Sequence, residues 1–505
     1  MPAKIPEVKS ISGALNYYSG KTPEKTYITY NGLDFTYSKT NSLVNSVCFL
    51  LESLGLKKGE IVSAVIKNSI EYIVLYLASL RYGCIFNPYP STLETKDILR
   101  YLKNVNPKII FYGERHHDDL QKNTELTTYA IKDGFIDDLK PSEKIYPDFI
   151  PEDNSPACIY YSSGTTGNPK SIVFSHKNMI ANISSIIRGF RFNADAKHLI
   201  ILPLGHTAST NYSFLPCTLC GGTMVVAESF WKIRAELWNS IKKHKINYIE
   251  VVPSILVALL NTPYNKADFE NITTLPFVGC GSSTLSKELQ IKFAQKFGIK
   301  VANLYGLSET GPTHIDYPLE KGWEPGSVGK PLDVNEVRVV DENDNFLKPR
   351  EVGEIVIKGE NVFIDYYKNH SLYENVVKNG YFHTGDLGYI DENDRLFFTG
   401  RKKDLIIKGG VNISPDEIDE ILYEIDEIKE AVTVGVSDQY LGEKIISFIS
   451  VKEGKSISQE KVLDFCKKYI SRDKFPDKII FVDNLPKGPS NKILRRKLRE
   501  TYNEK

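Results

Sequence analysis

Between two short apolar runs the chain has the sequence Tyr160-Tyr161-Ser162-Ser163-Gly164-Thr165-Thr166-Gly167-Asn168-Pro169-Lys170. The apolar run 157–161 predicts a buried strand, and the run 171–174 predicts a second strand after the loop. Glycines let backbone N–H groups approach a ligand closely, hydroxyls donate hydrogen bonds, and the lysine adds a mobile positive charge. We therefore predict that this loop binds a polyphosphate.

The loop differs from the P-loop of many nucleotide-binding proteins. A P-loop has four residues between its glycines and then Gly-Lys-Ser/Thr at the start of a helix. Here two residues separate Gly164 from Gly167, and Pro169 precedes the lysine. A plain Ser/Gly-rich surface loop would explain the glycines and hydroxyls but not the lysine at their end, so phosphate binding is favoured.

Composition gives the broad class. The 505 residues suggest more than one domain, and 63 basic and 63 acidic residues cancel, so no net field favours nucleic acid or an anionic membrane. We expect neither a signal peptide, nor a membrane span, nor a peroxisomal signal, and therefore a cytoplasmic protein that is a monomer or homodimer. Cys217 and Cys220 form a CxxC without companions at zinc spacing, so we interpret them as apolar packing residues.

Periodicity predicts the architecture. Helical patterns at 41–54 and 71–82 alternate with a strand pattern at 59–66, which predicts a mostly parallel sheet covered by helices. The proline-rich stretch 87–94 predicts a structural turn. Short alternating runs at 326–367 predict a small β-rich unit, and the remaining chain predicts a compact α+β domain. Within that domain Ser414, Pro415 and Glu417 form a helix-start signature with a capping box.

The quoted loop closely resembles the phosphate-loop signature of the adenylate-forming (AMP-binding) superfamily, of the acyl-CoA synthetase or acid–CoA ligase type. Further similar blocks lie between about residue 75 and Lys492. The resemblance implies an α/β and α+β multidomain fold. Residues 1–400 would form a large adenylation domain of helix-covered sheets, with the β-rich subdomain at about 326–400, and residues 401–505 a small mobile domain.

The resemblance also implies an ATP site with Mg²⁺. It assigns these residues to ATP or AMP: Ser162, Ser163, Gly164, Thr165, Thr166, Gly167, Lys170, Gly281, Ser282, Ser283, Asn303, Tyr305, Gly306, Ser308, Asp386, Arg401 and Lys492. In it Tyr305 would lie near adenine, Ser308 would contact the α-phosphate, and Glu309 with Thr166 would hold Mg²⁺. A carboxylate suits this hard cation.

On the same basis, three further roles follow from the resemblance. Asp386 would accept the ribose hydroxyls, Arg401 would contact ribose or phosphate, and Lys492 would be the catalytic lysine. Lysine on a polar loop is ordinarily a surface residue, so the role of Lys492 depends on the resemblance alone.

The acid pocket is assigned to His206, Gly279, Cys280 and Leu304. His206 would gate the pocket and so belong to the catalytic set with Lys492, Thr166 and Glu309, although a lone histidine at a strand end is commonly a structural hydrogen-bonding residue. Leu304 stands where the family often has glycine, and this bulk would shorten the pocket and favour a small or short acid.

The implied reaction has two steps. A carboxylate attacks the α-phosphate of ATP to give an acyl-adenylate and pyrophosphate, and the thiol of coenzyme A then displaces AMP. The small domain would rotate about Lys403 between the steps, and Gly409 and Gly410 would line the pantetheine tunnel. Transfer to a carrier-protein pantetheine and a catalytically inactive nucleotide-binding scaffold remain alternatives. Amino-acid adenylation is disfavoured because the stretch 207–211 lacks the aspartate that usually pairs with the substrate ammonium.

Overall fold

The structure, a computed structural model, describes residues 5–116, 120, 122, 125–132, 134–140, 144–162, 170–270, 272–438, 440–487 and 493–503. Two helix-covered sheets form most of the large N-terminal part, an antiparallel sheet follows, and a smaller C-terminal unit contains a fourth sheet. The mixed α/β and α+β fold class is confirmed. The boundary at residue 400 stays a prediction.

Sheet I carries the quoted loop. Its strands among the described residues are, in spatial order, Asp365–Tyr366, Lys170–Ser175, Pro156–Ser162, Ile85–Pro90, Ile61–Ile66, Ile109–Tyr112 and Thr127–Ala130. Neighbouring strands are parallel except at the 365–366 end, where Pro156–Ser162 and Lys170–Ser175 pair antiparallel. The two predicted strands are thus confirmed, whereas the predicted proline-rich turn is wrong at its start. Asn87 is buried inside a strand, where its side chain donates to the Ile159 carbonyl oxygen at 2.8 Å.

Sheet II lies beside sheet I and is also mostly parallel. Its strands in the described part are, in spatial order, Lys300–Asn303, Phe277–Cys280, Tyr248–Val251, Lys197–Ile200, Thr223–Val226, Thr26–Tyr30 and Leu33–Thr36. Its two faces contact different cores: Tyr248, Ala302 and Leu304 pack in one apolar cluster, and Val251 and Cys280 in the other. The two faces therefore separate side chains that are neighbours in sequence.

The helices cover these sheets and the C-terminal unit. Those of seven residues or more in the described chain are Ile11–Lys21, Tyr37–Ser53, Ile70–Tyr82, Thr95–Val105, His176–Gly189, Leu237–His244, Pro253–Asn261, Lys287–Phe297, His370–Val376, Pro415–Tyr423, Gln459–Tyr469 and Arg495–Asn503. Ser175 begins the helix that follows the quoted loop, since its side chain accepts from the Asn178 backbone N–H and Asn178 reciprocates. None of the helices in the described ranges has both the length and the apolar character that a membrane span requires.

Sheets III and IV follow in the chain. The antiparallel sheet III consists of Asn335–Val340, Gly353–Gly359, Val377–Lys378, Tyr381–Ile390 and Leu396–Arg401. Sheet IV consists of Ile406–Lys408, Val411–Ile413, Ile428–Asp438, Gly442–Val451 and Lys478–Phe481. The predicted β-rich unit and the predicted C-terminal strands and helices are therefore present.

The helix Pro415–Tyr423 begins where the sequence predicts, but the predicted capping box is wrong. The Ser414 hydroxyl does not cap the helix and donates to the Thr399 carbonyl oxygen at 2.6 Å. Glu417 accepts from Lys474 Nζ at 2.8 Å instead. Both side chains therefore bond to groups that are distant in sequence and not to the backbone N–H groups at the start of the helix. The Ser414 hydrogen bond thereby ties this helix to the last strand of sheet III.

Candidate active site

Glu309 is a buried carboxylate beside Ser162 and Lys170, the described ends of the loop. Its side chain is 8% exposed, and Oε1 accepts from Ser162 Oγ and from the Tyr366 hydroxyl, both at 3.1 Å. The backbone N–H of Phe363 donates to the Glu309 carbonyl oxygen at 2.9 Å, which fixes the turn. Burial raises the pKa of Glu309, while the hydrogen bond from Ser162 and the positive charge of Lys170 oppose that rise.

Ser162 and Lys170 are the two ends of the quoted loop and face each other as partners on antiparallel strands. Lys170 Nζ lies 5.2 Å from the ring centroid of Tyr366, which places its charge beside the Glu309 site. The predicted phosphate contacts of Ser163, Gly164, Thr165, Thr166 and Gly167 lie outside the described residues, as does Lys492. The structure thus brings both ends of the loop to the predicted metal carboxylate.

Asp386, Tyr305 and Arg401 form a second polar cluster. Oδ2 accepts from the Tyr305 hydroxyl at 2.9 Å, and Oδ1 lies 3.1 Å from Arg401 Nε. Asp386 and Arg401 are register partners on neighbouring strands of sheet III, so the sheet itself sets this ion pair. Tyr305 and Glu309 belong to one short segment, which therefore connects the two groups.

The remaining predicted nucleotide residues lie at strand ends and in turns around this segment. Ser282 is exposed with a positive φ of 67°, Ser283 and Ser308 are half-buried, and the backbone N–H of Asn303 donates to Asp316 at 2.7 Å. Gly306 is packed against the Gly311 backbone so closely that a Cβ would collide with it. These positions are compatible with a ligand between the turns, and their individual roles stay predictions.

Of the residues that the sequence assigns to the acid pocket, Gly279 lies against Leu304, as does the predicted nucleotide residue Gly281. A Cβ on Gly279 would lie 2.8 Å from Leu304 Cδ1 and would collide with the Tyr248 hydroxyl. A Cβ on Gly281 would lie 2.9 Å from the Leu304 Cβ. The Cys280 side chain packs in the core on the opposite face of sheet II, because successive residues of a strand alternate in direction. Only its backbone carbonyl, which accepts from Leu304 N–H at 2.8 Å, faces this region.

His206 lies half-buried at the start of the short helix Thr207–Ser209. Its Nδ1 accepts from the Ala208 backbone N–H at 3.3 Å, which is the structural hydrogen bond expected of a lone histidine at a strand end. The preceding Gly205 touches the Tyr89 carbonyl oxygen so closely that no Cβ would fit. The gate role of His206 stays a prediction.

The predicted hinge and pantetheine residues lie in the C-terminal unit. Lys403 is exposed in the 3₁₀ turn Lys402–Asp404, directly after the last strand of sheet III. Gly409 and Gly410 form the exposed tip of a two-residue hairpin with φ values of 59° and 84°, a conformation that favours glycine at both positions.

Sequence reasoning missed four side chains in this region. Tyr366 binds Glu309 across 57 residues of chain, a distance that no local pattern encodes. Glu250 is a charged residue inside the otherwise apolar strand Tyr248–Val251, and that mismatch was a usable signal. Tyr212 and Tyr248 were missed because aromatic residues in buried elements are ordinarily core.

Comparison with known proteins identifies the family of this chain. The model of the family described as AMP-binding enzyme matches residues 16–367, and that of the AMP-binding enzyme C-terminal domain matches residues 417–492. An oxalate–CoA ligase of Arabidopsis thaliana is 26% identical over 98% of this chain and 99% of its own length. A long-chain-fatty-acid–CoA ligase of Bacillus subtilis is 30% identical over 98% of this chain and 95% of its own.

Comparison with solved structures supports the same family. The ATP-bound structure of MatB from Rhodopseudomonas palustris superimposes with a TM-score of 0.90 at 26% identity, covering 97% of this chain and 99% of that one. The chain therefore belongs to the AMP-binding enzyme family, in which it is an acyl-CoA synthetase of the AMP-forming type.

Proposed function

We propose that the protein activates a small or short carboxylic acid with Mg-ATP and then transfers the acyl group to coenzyme A. In the first step a carboxylate oxygen bonds to the α-phosphorus of ATP while the bond to pyrophosphate breaks. In the second step the thiol sulfur bonds to the acyl carbon, the bond to AMP breaks, and the thiol proton is released.

The observation that carries the proposal is the arrangement on the segment from Tyr305 to Glu309. At one end Glu309 lies beside both ends of the quoted loop, and at the other Tyr305 binds the Asp386–Arg401 pair. A nucleotide between them would have its phosphates at Glu309 and Lys170 and its ribose at Asp386. Transfer between phosphorus and carboxylate needs mainly positioning and charge stabilisation, which such groups provide.

The donor set at Glu309 fits Mg²⁺ bound to a substrate. Both hydrogen bonds described for its side chain go to Oε1, and the described residues include no group of three His, Cys, Asp or Glu that could hold a metal. Mg²⁺ commonly takes one or two carboxylates and completes its shell with water and substrate phosphates. Glu309 would hold the ion, which would neutralise phosphate charge.

The acid itself needs a separate argument. The relatives named above act, by their names, on oxalate and on long-chain fatty acids, and at 26% and 30% identity neither substrate transfers to this chain. Leu304 fills the space above Gly279 and Gly281, which supports a short or small acid. No described feature favours a carrier protein over coenzyme A.

The test is acid-dependent exchange of labelled pyrophosphate into ATP, across acids from acetate to long-chain, dicarboxylic and aromatic members, followed by thioester formation with coenzyme A. We expect exchange with short acids and a coenzyme A thioester in the second assay. Exchange with long-chain acids alone would contradict the short-acid proposal. ATP binding without exchange for any acid would favour the inactive scaffold.

Two substitutions separate the steps. Lys492→Ala should abolish exchange and spare thioester formation from a supplied acyl-adenylate, whereas Lys403→Pro should mainly slow thioester formation. Equal effects of both substitutions on both steps would contradict the proposed hinge.

A further inference from the structure

Three buried polar side chains lie together without hydrogen-bond partners. Tyr212, Tyr248 and Glu250 are 5%, 0% and 2% exposed, and neither the two hydroxyls nor the two carboxyl oxygens have a partner among the described residues. Buried polar groups are normally paired, because an unpaired one loses its hydration without compensation. Three such side chains together therefore indicate a binding site whose ligand would supply the missing hydrogen bonds.

The group lies on the acid-pocket face of sheet II. Glu250 is the register partner of Gly279, and the Tyr248 hydroxyl takes the place that a Cβ on Gly279 would need. Leu304 Cδ1 lies 2.8 Å from the same position. Glu250 and Tyr248 also alternate with Ile249 and Val251, whose side chains pack on the opposite face. The polar group thus belongs with Gly279 and Leu304.

Tyr212 reaches this region from the helical turn Thr210–Phe214. Its ring and that of Tyr248 both contact Phe190, with ring centroids 6.3 Å and 6.0 Å apart respectively. Phe192 and His198 complete the aromatic wall around Tyr248, at 5.0 Å and 4.8 Å. The three polar groups are therefore set in aromatic surroundings.

No described positive charge balances the Glu250 carboxyl. Among the described ion pairs no lysine or arginine contacts its carboxyl. His198 lies in the same wall, but burial lowers its pKa to about 3, so it brings no positive charge at neutral pH. An acid with a second carboxylate at its far end would meet another carboxyl here and no cation to balance it.

We propose that the acid substrate carries an amino group at the end away from its reacting carboxylate, and that Glu250, Tyr212 and Tyr248 accept hydrogen bonds from it. A protonated amine offers three N–H donors, which the carboxyl and the two hydroxyls match. Aromatic walls also favour a cation. This inference rests on the proposed function, because it names the substrate class of the same pocket.

The proposal explains which acids are rejected. An alkyl acid of the same length would leave all three polar groups unpaired, and sites built for a hydrogen-bonding group reject such analogues strongly. A dicarboxylic acid would bury its second carboxylate where no described lysine or arginine could balance its charge. The amino group lies at the far end, so the lack of an aspartate in the stretch 207–211 does not exclude it.

The test uses acids matched in length: 4-aminobutanoate, 4-hydroxybutanoate, pentanoate and glutarate, with one shorter and one longer set. We expect kcat/KM in pyrophosphate exchange to be roughly 100-fold or more higher for the amino acid than for pentanoate or glutarate at the best length. A preference for pentanoate, glutarate or the hydroxy acid would overturn the inference.

Two substitutions locate the selectivity. Glu250→Gln keeps the shape, and the ratio of kcat/KM for 4-aminobutanoate over pentanoate should fall by about 10-fold or more. Tyr212→Phe keeps the ring and should lower the ratio about 3-fold. Glu342→Gln is the matched control, because Glu342 is exposed in the turn after the strand Asn335–Val340. This substitution should leave the ratio as in the wild type. An unchanged ratio in Glu250→Gln would overturn the assignment of Glu250.

A binding measurement distinguishes failure of the proposed function from failure of the amino-group inference. If no acid supports exchange, calorimetry of 4-aminobutanoate with the full chain and a non-cleavable ATP analogue still tests the pocket. Binding to the wild type that is lost in Glu250→Gln supports the amino-group site even without catalysis. Equal binding by both proteins, or none by either, overturns it. Exchange with pentanoate but not with any amino acid overturns the inference and leaves adenylation intact.

Discussion

Glu309 and Glu250 are both buried glutamates, but their surroundings differ. Glu309 accepts hydrogen bonds from Ser162 and Tyr366 and lies near the charge of Lys170. Glu250 has no partner among the described residues. Burial raises the pKa of both carboxyls, and for Glu250 the value reaches about 8.

The difference indicates that the two carboxyls would bind different kinds of ligand. Hydrogen bonds and a nearby cation favour the ionised form of Glu309, the form that binds a metal. Glu250 lacks that support, and a ligand with N–H donors would satisfy its oxygens and favour its ionised form. We therefore expect changes at Glu309 to affect every substrate, and changes at Glu250 to affect substrates selectively.

The largest effect should come from Glu309→Gln. Loss of a preorganised charged group at the phosphates typically costs about 100- to 1000-fold in rate, and here the loss should be similar for all acids. The measurement is pyrophosphate exchange with two acids of different type. Glu360→Gln, an exposed glutamate that pairs with Lys177 at 3.8 Å, is the matched control and should retain wild-type rates. A loss confined to one acid would contradict the shared role of Glu309.

The comparison also shows how far sequence reasoning reached. The two strands that end at Ser162 and begin at Lys170 were predictable because short apolar runs are local signals. The capping box at Ser414 failed because a tertiary partner, the Thr399 carbonyl, took its hydroxyl. Local patterns thus located the elements but could not foresee competition between distant groups.

The two carboxylates differ in the same way. Glu309 was predictable through the motif around it, whereas its partner Tyr366 comes from a separate strand of sheet I. Glu250 required knowledge that Gly279, Leu304 and Tyr212 lie around it, and only the folded chain brings these together. The charged residue in an apolar strand was a sequence signal for Glu250, but its burial without partners is a property of the fold that only the structure shows.

A second effect concerns pH and stability. The Glu250 carboxyl has a pKa of about 8 in the folded protein and about 4.3 in an unfolded chain. Between these values the folded protein binds a proton that the unfolded chain has lost, so the free energy of unfolding falls as pH rises, by up to about 1.4 kcal/mol per pH unit. Glu250→Gln removes this loss, so it should gain stability relative to the wild type as pH rises.

The measurement is the Tm of both proteins at pH 5.5 and pH 8, with Glu342→Gln as control. The groups facing Glu250 stay uncharged over that range, because burial raises the pKa of Tyr212 and Tyr248 and lowers that of His198 to about 3. Burial also raises the pKa of the Cys280 thiol on the opposite face. Parallel pH profiles for wild type and Glu250→Gln would show that Glu250 is not buried as described.

The smallest effect separates a hydroxyl that has a partner from one that has none. Tyr366→Phe removes a hydrogen bond to the buried Glu309, which should lower the free energy of unfolding by about 1–2 kcal/mol. Tyr212→Phe removes a hydroxyl without a partner among the described residues, so its cost should be about 0.5 kcal/mol or less. Denaturant unfolding of the two variants without ligand measures the contrast. Equal losses would mean that water or another group already satisfies Tyr212, and the case for an incoming amino group would weaken with it.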